Sequence, residues 1–196
     1  GMIAMLIAVS HPGLVRKLAV GSSSGKASEN VKGSTSSWIR LAKARDTKGL
    51  AEASIRSLYS EETADLYHDV LVSSFDNITE EELDRFILQA KAAAGIDILD
   101  RIPLIRCPML VIGSFGDRVT GPMASYQIAE KAGCELFMYG RCYGHAVYDE
   151  APDFKERIDH FFHDETVEEL VVKEEEIIAE SDKGAKSVKK EGLKTS

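Results

Sequence analysis

The sequence predicts an α/β fold: a parallel sheet flanked by helices, with a helical block set between its strands. Three observations carry this reading. Met109–Gly113 (MLVIG) is a short, continuously apolar run, the pattern of a parallel strand buried on both faces. An amphipathic stretch at about Pro122–Lys131, a second strand candidate at Glu135–Tyr139 (ELFMY) and a helical pattern at about 150–162 follow it, which is the spacing of βαβ units. From about residue 35 to 94 the apolar residues recur at helical intervals and no strand signal interrupts them.

Composition sets the outer limits. A chain of 196 residues holds one domain, or one domain and a tail. With 44% apolar and 29% charged residues it reads as globular. A net charge of −8 argues against a nucleic-acid partner or an anionic membrane surface, since both call for a basic patch. The longest apolar run, Met2–Val9, is far short of the roughly 20 residues that span a bilayer. Cys107, Cys134 and Cys142 cannot all pair and form no C-x-x-C, which favours a reduced, cytoplasmic setting.

Each element has its own signals. Residues 1–10 (GMIAMLIAVS) read as a helix apolar nearly all round, of the kind found inside a larger protein. Gly1 is therefore better read as a point within a longer fold than as a cloning scar before Met2. His11-Pro12-Gly13 ends this helix. Arg16–Gly21 is a strand candidate, and the Ser/Gly/Lys-rich residues 22–36 read as loop. Trp38, Ile39, Leu41 and Ala42 form one helical stripe; Leu50, Ala53, Ile55 and Leu58 form another; Leu66, Val70 and Leu71 suggest a third helix. Thr79-x-x-Glu82 is a capping box, followed by Leu83, Phe86, Ile87 and Ala90 on one face. Gly133 stops the helix before the second strand, and Phe154, Ile158, Phe161 and Phe162 line one face of the last. Residues 164–196 carry ten acidic and six basic residues; Thr166–Ala179 reads as a helix and the stretch beyond Ser181 as disordered.

Two polar residues stand just past the two late strands, where parallel sheets place their ligands. Asp117 lies in GSFGD and His145 in GRCYGH. An acid and a histidine at neighbouring strand ends can meet: the carboxylate orients the imidazole, which serves as general base and acid. The same residues also suit a turn cap and a surface packing position, and spacing alone leaves both readings open.

The stretch IPLIRCPMLVIGSFGDRVTGPMASYQIAEKAGCELFMYGRCYGHAVYDEAPDFKERIDHFF resembles the C-terminal end of an α/β-hydrolase-fold enzyme. There a CP-x-L-x-I-x-G-x-x-D segment supplies the triad acid and a later G-H segment the triad histidine, so the resemblance implies those roles for Asp117 and His145. GMIAMLIAVSHPGLVRKLAVGSSS resembles the helix after the family's nucleophile elbow and the strand that follows. The likeness covers about residues 1–163. It implies a core start at 1–34, a helical lid at 35–100 and a C-terminal core at 101–163; charge composition sets off the acidic tail at 164–196.

The resemblance further implies a hydrolase of small carboxylic esters, lactones or similar acyl compounds, with no metal or organic cofactor. One part of the pattern is missing. The G-x-S-x-G elbow would end at or just before Gly1, so the expectation is that this chain lacks the nucleophile and the N-terminal half of the fold, and is inactive by itself. Gly21-Ser22-Ser23-Ser24-Gly25 matches the motif literally, and Ser23…Asp117…His145 is the right order. An elbow, however, leads straight into a small, apolar helix, whereas KASENVKGST follows here. Ser23 is expected in a loop at the pocket mouth.

The other chemistry-bearing residues have plainer readings. Cys142, three residues before His145, reads as a small residue in a tight loop rather than a nucleophile. Cys134, Cys142, Asp117 and His145 match no usual zinc spacing. His11, His68, His160 and His163 read as surface residues, Trp38, Phe75 and Phe86 as lid core before pocket lining, and Lys186, Lys189, Lys190 and Lys194 as a solvated tail. The alternative function is a non-enzymatic ligand-binding or interaction protein on a degenerate hydrolase fold, since a pocket and a lid suffice for that.

Overall fold

Parallel strands need crossovers, and the chain supplies them as helices. The computed structural model describes residues 1–163, in two units that divide between Phe154 and Lys155. In the first, β1 (Leu18–Gly21), β2 (Met109–Ser114) and β3 (Glu135–Tyr139) form a parallel sheet in that order. Val20 is paired with Val111, and Val111 with Leu136. All six residues of β2 are buried, as its unbroken apolar run predicts for a central strand. Before β1 come α1 (Met2–Ser10) and a 3₁₀ turn at Pro12–Leu14; α7 (Pro122–Ala132) links β2 to β3. Met5 and Ala8 of α1 and Ile128 and Ala129 of α7 close on Leu18, Val20, Met109 and Val111; Ile102, from the 3₁₀ stretch Leu99–Leu104, completes this core. Ile3 and Ile7, on the other face of α1, are exposed among the described residues.

Five helices stand between β1 and β2: α2 (Glu29–Lys43), α3 (Thr47–Leu58), α4 (Glu61–Leu66), α5 (His68–Ser73) and α6 (Glu80–Ala94). Ala42, Leu50, Leu83 and Ile87 form their buried centre, with Trp38, Phe75 and Phe86 packed around it. Helix α2 begins well inside the segment that composition marks as loop. The Ser28 side chain accepts the Val31 N–H at 3.3 Å, and Glu29 sits in the positive first turn. Buried Val31 and Ala42 outweigh the poor helix propensity of Gly33, Ser34 and Thr35, and the Thr35 hydroxyl donates to the Val31 carbonyl at 2.6 Å. The expected third helix is instead two short ones. Tyr67 breaks it at φ −108°, ψ 15°, and of the predicted stripe only Leu71 packs inward, while Leu66 and Val70 are exposed. Helix α6 starts on the predicted capping box: Glu82 N–H donates to Thr79 Oγ1 at 3.2 Å, and Thr79 N–H to Glu82 Oε2 at 2.9 Å.

The strand predicted from Arg16 starts at Leu18, and Gly133 closes α7 in the left-handed region. The helix predicted at about 150–162 is divided into α8 (Val147–Glu150) and α9 (Phe154–Phe162). Pro152 holds Ala151 extended, at φ −87° and ψ 120°, and so interrupts the helical path. In the second unit α9 runs on to Phe162, where the rings of Phe161 and Phe162 stand 5.4 Å apart. The acidic tail, with the helix expected at Thr166–Ala179 and with Lys186, Lys189, Lys190 and Lys194, lies outside the described residues.

Candidate active site

Because β2 and β3 run in the same direction, the loops that leave Ser114 and Tyr139 emerge at the same end of the sheet. These loops bring Asp117 and His145 together: Nδ1 of His145 lies 2.9 Å from Oδ2 of Asp117. The carboxylate side chain is 2% exposed and the imidazole 20%. A carboxylate only accepts hydrogen bonds, so Nδ1 carries a proton, and in the neutral imidazole Nε2 is then the acceptor.

The Asp117 carboxylate has three further donors. Oδ1 accepts the N–H groups of Val119 and Thr120, each at 2.8 Å, and Oδ2 accepts the Thr120 hydroxyl at 2.6 Å. The residue therefore caps its own turn and holds the histidine at once, so the two readings of Asp117 are compatible. Burial pushes its pKa up, but the hydrogen bond and charge of His145, with the Thr120 donors, outweigh burial and hold the group below the ordinary carboxylate value.

Ser114 and Gly116 keep the two loops in register. The Ser114 hydroxyl donates to the Tyr143 carbonyl and accepts the Gly116 N–H at 3.0 Å. Gly116 faces the carbonyls of Arg141 and Tyr143 so closely that a Cβ would collide with both. Sequence reading passed over Ser114, Gly116 and Thr120, though Asp117-x-x-Thr120 is a turn-capping pattern that could have pointed to the last.

His145 faces a cavity of about 500 Å³. The wall includes Val31 and Trp38 of α2, Leu58 of α3, Ala92 and Ala93 of α6, and Ser22 and Ser23 just past β1. Trp38 thus lines the cavity as well as packing beside Phe86, with ring centroids 6.4 Å apart, while Phe75 stays within the helical core. Ser22 is strained, with φ 42°, and its buried hydroxyl has no hydrogen-bond partner among the described residues. Ser23 is buried in the loop before α2, and no helix follows it directly. Cys142 is exposed and opens on a second groove, which it lines with Phe115, Asp117, Arg118 and Arg141. Cys107, Cys134 and Cys142 are all free thiols. His68 bonds Glu52 and Asp69 on the surface of the helical block. No three acidic, histidine or cysteine side chains converge as metal ligands, and no helix is long and apolar enough to cross a membrane, among the described residues.

No protein-family model and no curated protein matches the sequence. Solved structures do. MGS-M2, an alpha/beta hydrolase enzyme from a Medee basin deep-sea metagenome library, superposes with a TM-score of 0.74 at 26% identity, over 84% of this chain and 62% of its own. The enol-lactonase from Burkholderia xenovorans gives 0.70 at 16% identity, over 83% and 62%. Est816, described as an N-acyl homoserine lactone degrading enzyme, gives 0.63 at 22% identity, over 82% and 63%. The chain has the α/β-hydrolase fold and spans less than two thirds of the length of these structures.

Proposed function

We propose that this chain is part of a serine hydrolase of small, uncharged carboxylic esters, lactones or similar acyl compounds, in which Asp117 and His145 are the triad acid and base. The observation that carries this reading is the buried Asp117–His145 hydrogen bond at neighbouring strand ends, with the imidazole facing an apolar cavity. The nucleophile is a serine outside these 196 residues, on the N-terminal portion of the same fold, which is the partner this chain requires. His145 Nε2 takes the serine proton as the hydroxyl attacks the carbonyl carbon, then returns it to the leaving group. In the second half of the cycle it deprotonates water, and the acyl group leaves as the acid. Asp117 keeps the proton on Nδ1 and stabilises the imidazolium that forms. Backbone N–H groups hold the oxyanion; one such donor is worth about 10²–10³ in rate. The helical block covers the cavity as a lid, and no cofactor enters the reaction.

Ser23 is set aside as nucleophile because its loop does not lead into a helix and so does not form an elbow. The test has two arms. The coding sequence upstream of Gly1 is read for a strand ending in G-x-S-x-G, and the protein containing it is assayed on p-nitrophenyl acetate; activity lost in His145→Ala is expected. The 196-residue chain by itself is treated with a fluorophosphonate and assayed on the same ester, and neither labelling nor turnover is expected. Labelling of Ser23 with ester turnover would restore Ser23 as nucleophile. An upstream sequence without an elbow would favour the ligand-binding alternative.

A further inference from the structure

Where α3 passes into α4, residues Leu58–Glu61 run alongside both loops of the candidate site. The Leu58 carbonyl accepts the Ala146 N–H at 2.8 Å. The Tyr59 hydroxyl donates to Asp149 Oδ2 at 3.0 Å, and the Tyr59 carbonyl accepts the Arg118 guanidinium at 3.4 Å. Glu150 completes the set. Its Oε1 accepts the Ser60 N–H at 2.8 Å, and its Oε2 accepts the Gly144 N–H. The approach is so close at Gly144 that a Cβ would collide with the Leu58 carbonyl and the Tyr59–Ser60 backbone. The residues on both sides of His145 are therefore tied to the helical block, Ala146 directly and Gly144 through Glu150.

We propose that Glu150 is a positioning residue: its carboxylate clamps the His145 loop to the Ser60 corner of the helical block and so keeps the imidazole on Asp117. This rests on the reading of Asp117 and His145 as the acid and base. Both carboxylate oxygens are needed, because each takes a backbone donor from a different segment. A glutamine has one acceptor oxygen and would turn an NH₂ group toward the other N–H. The clamp makes the place of the base depend on the place of the helical block, so a shift of that corner is felt at Nε2.

The experiment is NMR on the 196-residue chain. It follows the Nδ1 proton of His145, assigned by its loss in His145→Gln, together with exchange at the Gly144 and Ser60 amides. Glu150→Gln and Glu150→Ala are expected to speed exchange of all three protons by about tenfold, the effect of losing about 1.4 kcal/mol against opening. The Ile112 amide in β2 reports that the fold is kept. Asp149→Asn, which removes a charge from the same turn, is expected to leave the Nδ1 proton unchanged. A second pair of variants tests the other end of the clamp. Ser60 has φ −60° and follows Tyr59 at ψ 162°, so Ser60→Pro fits the backbone dihedrals; it deletes the N–H and sets the ring Cδ against the Glu150 carboxylate, which breaks this end of the clamp as Ser60→Ala does not. Faster Nδ1 exchange in Ser60→Pro than in Ser60→Ala is expected. Amides freed in the Glu150 variants with an unchanged Nδ1 proton would reduce Glu150 to a structural residue and overturn the proposal. Protected amides with no slow Nδ1 proton in the wild type would instead remove the acid–base pair itself, and the positioning role with it.

Discussion

The hydroxyl of Ser114, the last residue of β2, donates a hydrogen bond to the carbonyl of Tyr143, two residues before His145. A single buried side chain thus joins the loop of Asp117 to the loop of His145. Ser114→Ala leaves the Gly116 N–H and the Tyr143 carbonyl without this partner, and a loss of about 1–3 kcal/mol is expected in urea unfolding. Gly116→Ala forces the same loops apart from the other side, at a similar cost of about 1–3 kcal/mol. Both variants are expected to weaken the His145 Nδ1 proton signal, whereas Gly13→Ala, where a side chain meets open space, leaves it intact.

Asp117 sets an acid limit on stability. Its folded pKa lies below the unfolded value of about 3.9, so the stabilisation is present above that pH and is lost as pH falls through the folded value. Urea unfolding between pH 6 and pH 2.5 is expected to show this acid limb in the wild type and a smaller one in Asp117→Asn. In the proposed hydrolase the same substitution lets the imidazole carry its proton on Nε2, and kcat is expected to fall by about 10⁴.

The helical block has the opposite dependence. Hydrogen bonds to Glu52 and then Asp69 raise the pKa of His68. A raised folded pKa means stabilisation that is present below the unfolded value, about 6.5, and is lost as pH rises through the folded value. His68→Gln is therefore expected to lower the thermal midpoint at pH 5.5 and to have less effect at pH 8.5. An equal loss at both would assign the effect to packing.

Among the described residues, no Lys, Arg, Asp or Glu lines the cavity that His145 faces. In the proposed hydrolase, where Gly1 is held in peptide linkage and carries no free α-amino group, a charged ligand would lose its water there without gaining a fixed counter-charge. Trp38, the one tryptophan of the chain, lines that cavity and serves as the reporter. A neutral aryl ketone is expected to change its fluorescence saturably, and the matching carboxylate to need at least about tenfold more ligand, a penalty of about 1.4 kcal/mol. Equal affinities would show that the cavity is not the binding site.

Much of this was open to sequence reading because its signals are local. Met109–Ser114 is a buried strand because all its residues are apolar or small, and Thr79 with Glu82 builds a helix start from two side chains three residues apart. Helix α2 and the break between α4 and α5 were not legible, because burial of Val31 and exposure of Leu66 and Val70 are facts about neighbours distant in sequence. His68 offered the right chemistry in isolation and is taken up by Glu52 and Asp69, while His160, expected at the surface, is largely buried, because its helix turns that face inward.

The sequence by itself determined the parallel sheet and the inserted helices, and it marked Asp117 and His145 as candidates, since strand, turn and resemblance all reside in contiguous residues. Only the tertiary structure decided that Asp117 meets the imidazole while capping its own turn, that Ser114 ties one loop to the other, and that Glu150 accepts the N–H groups of both Gly144 and Ser60. Each of these is a hydrogen bond whose donor and acceptor are brought within reach by packing of the whole unit, and no spacing along the chain encodes such a meeting.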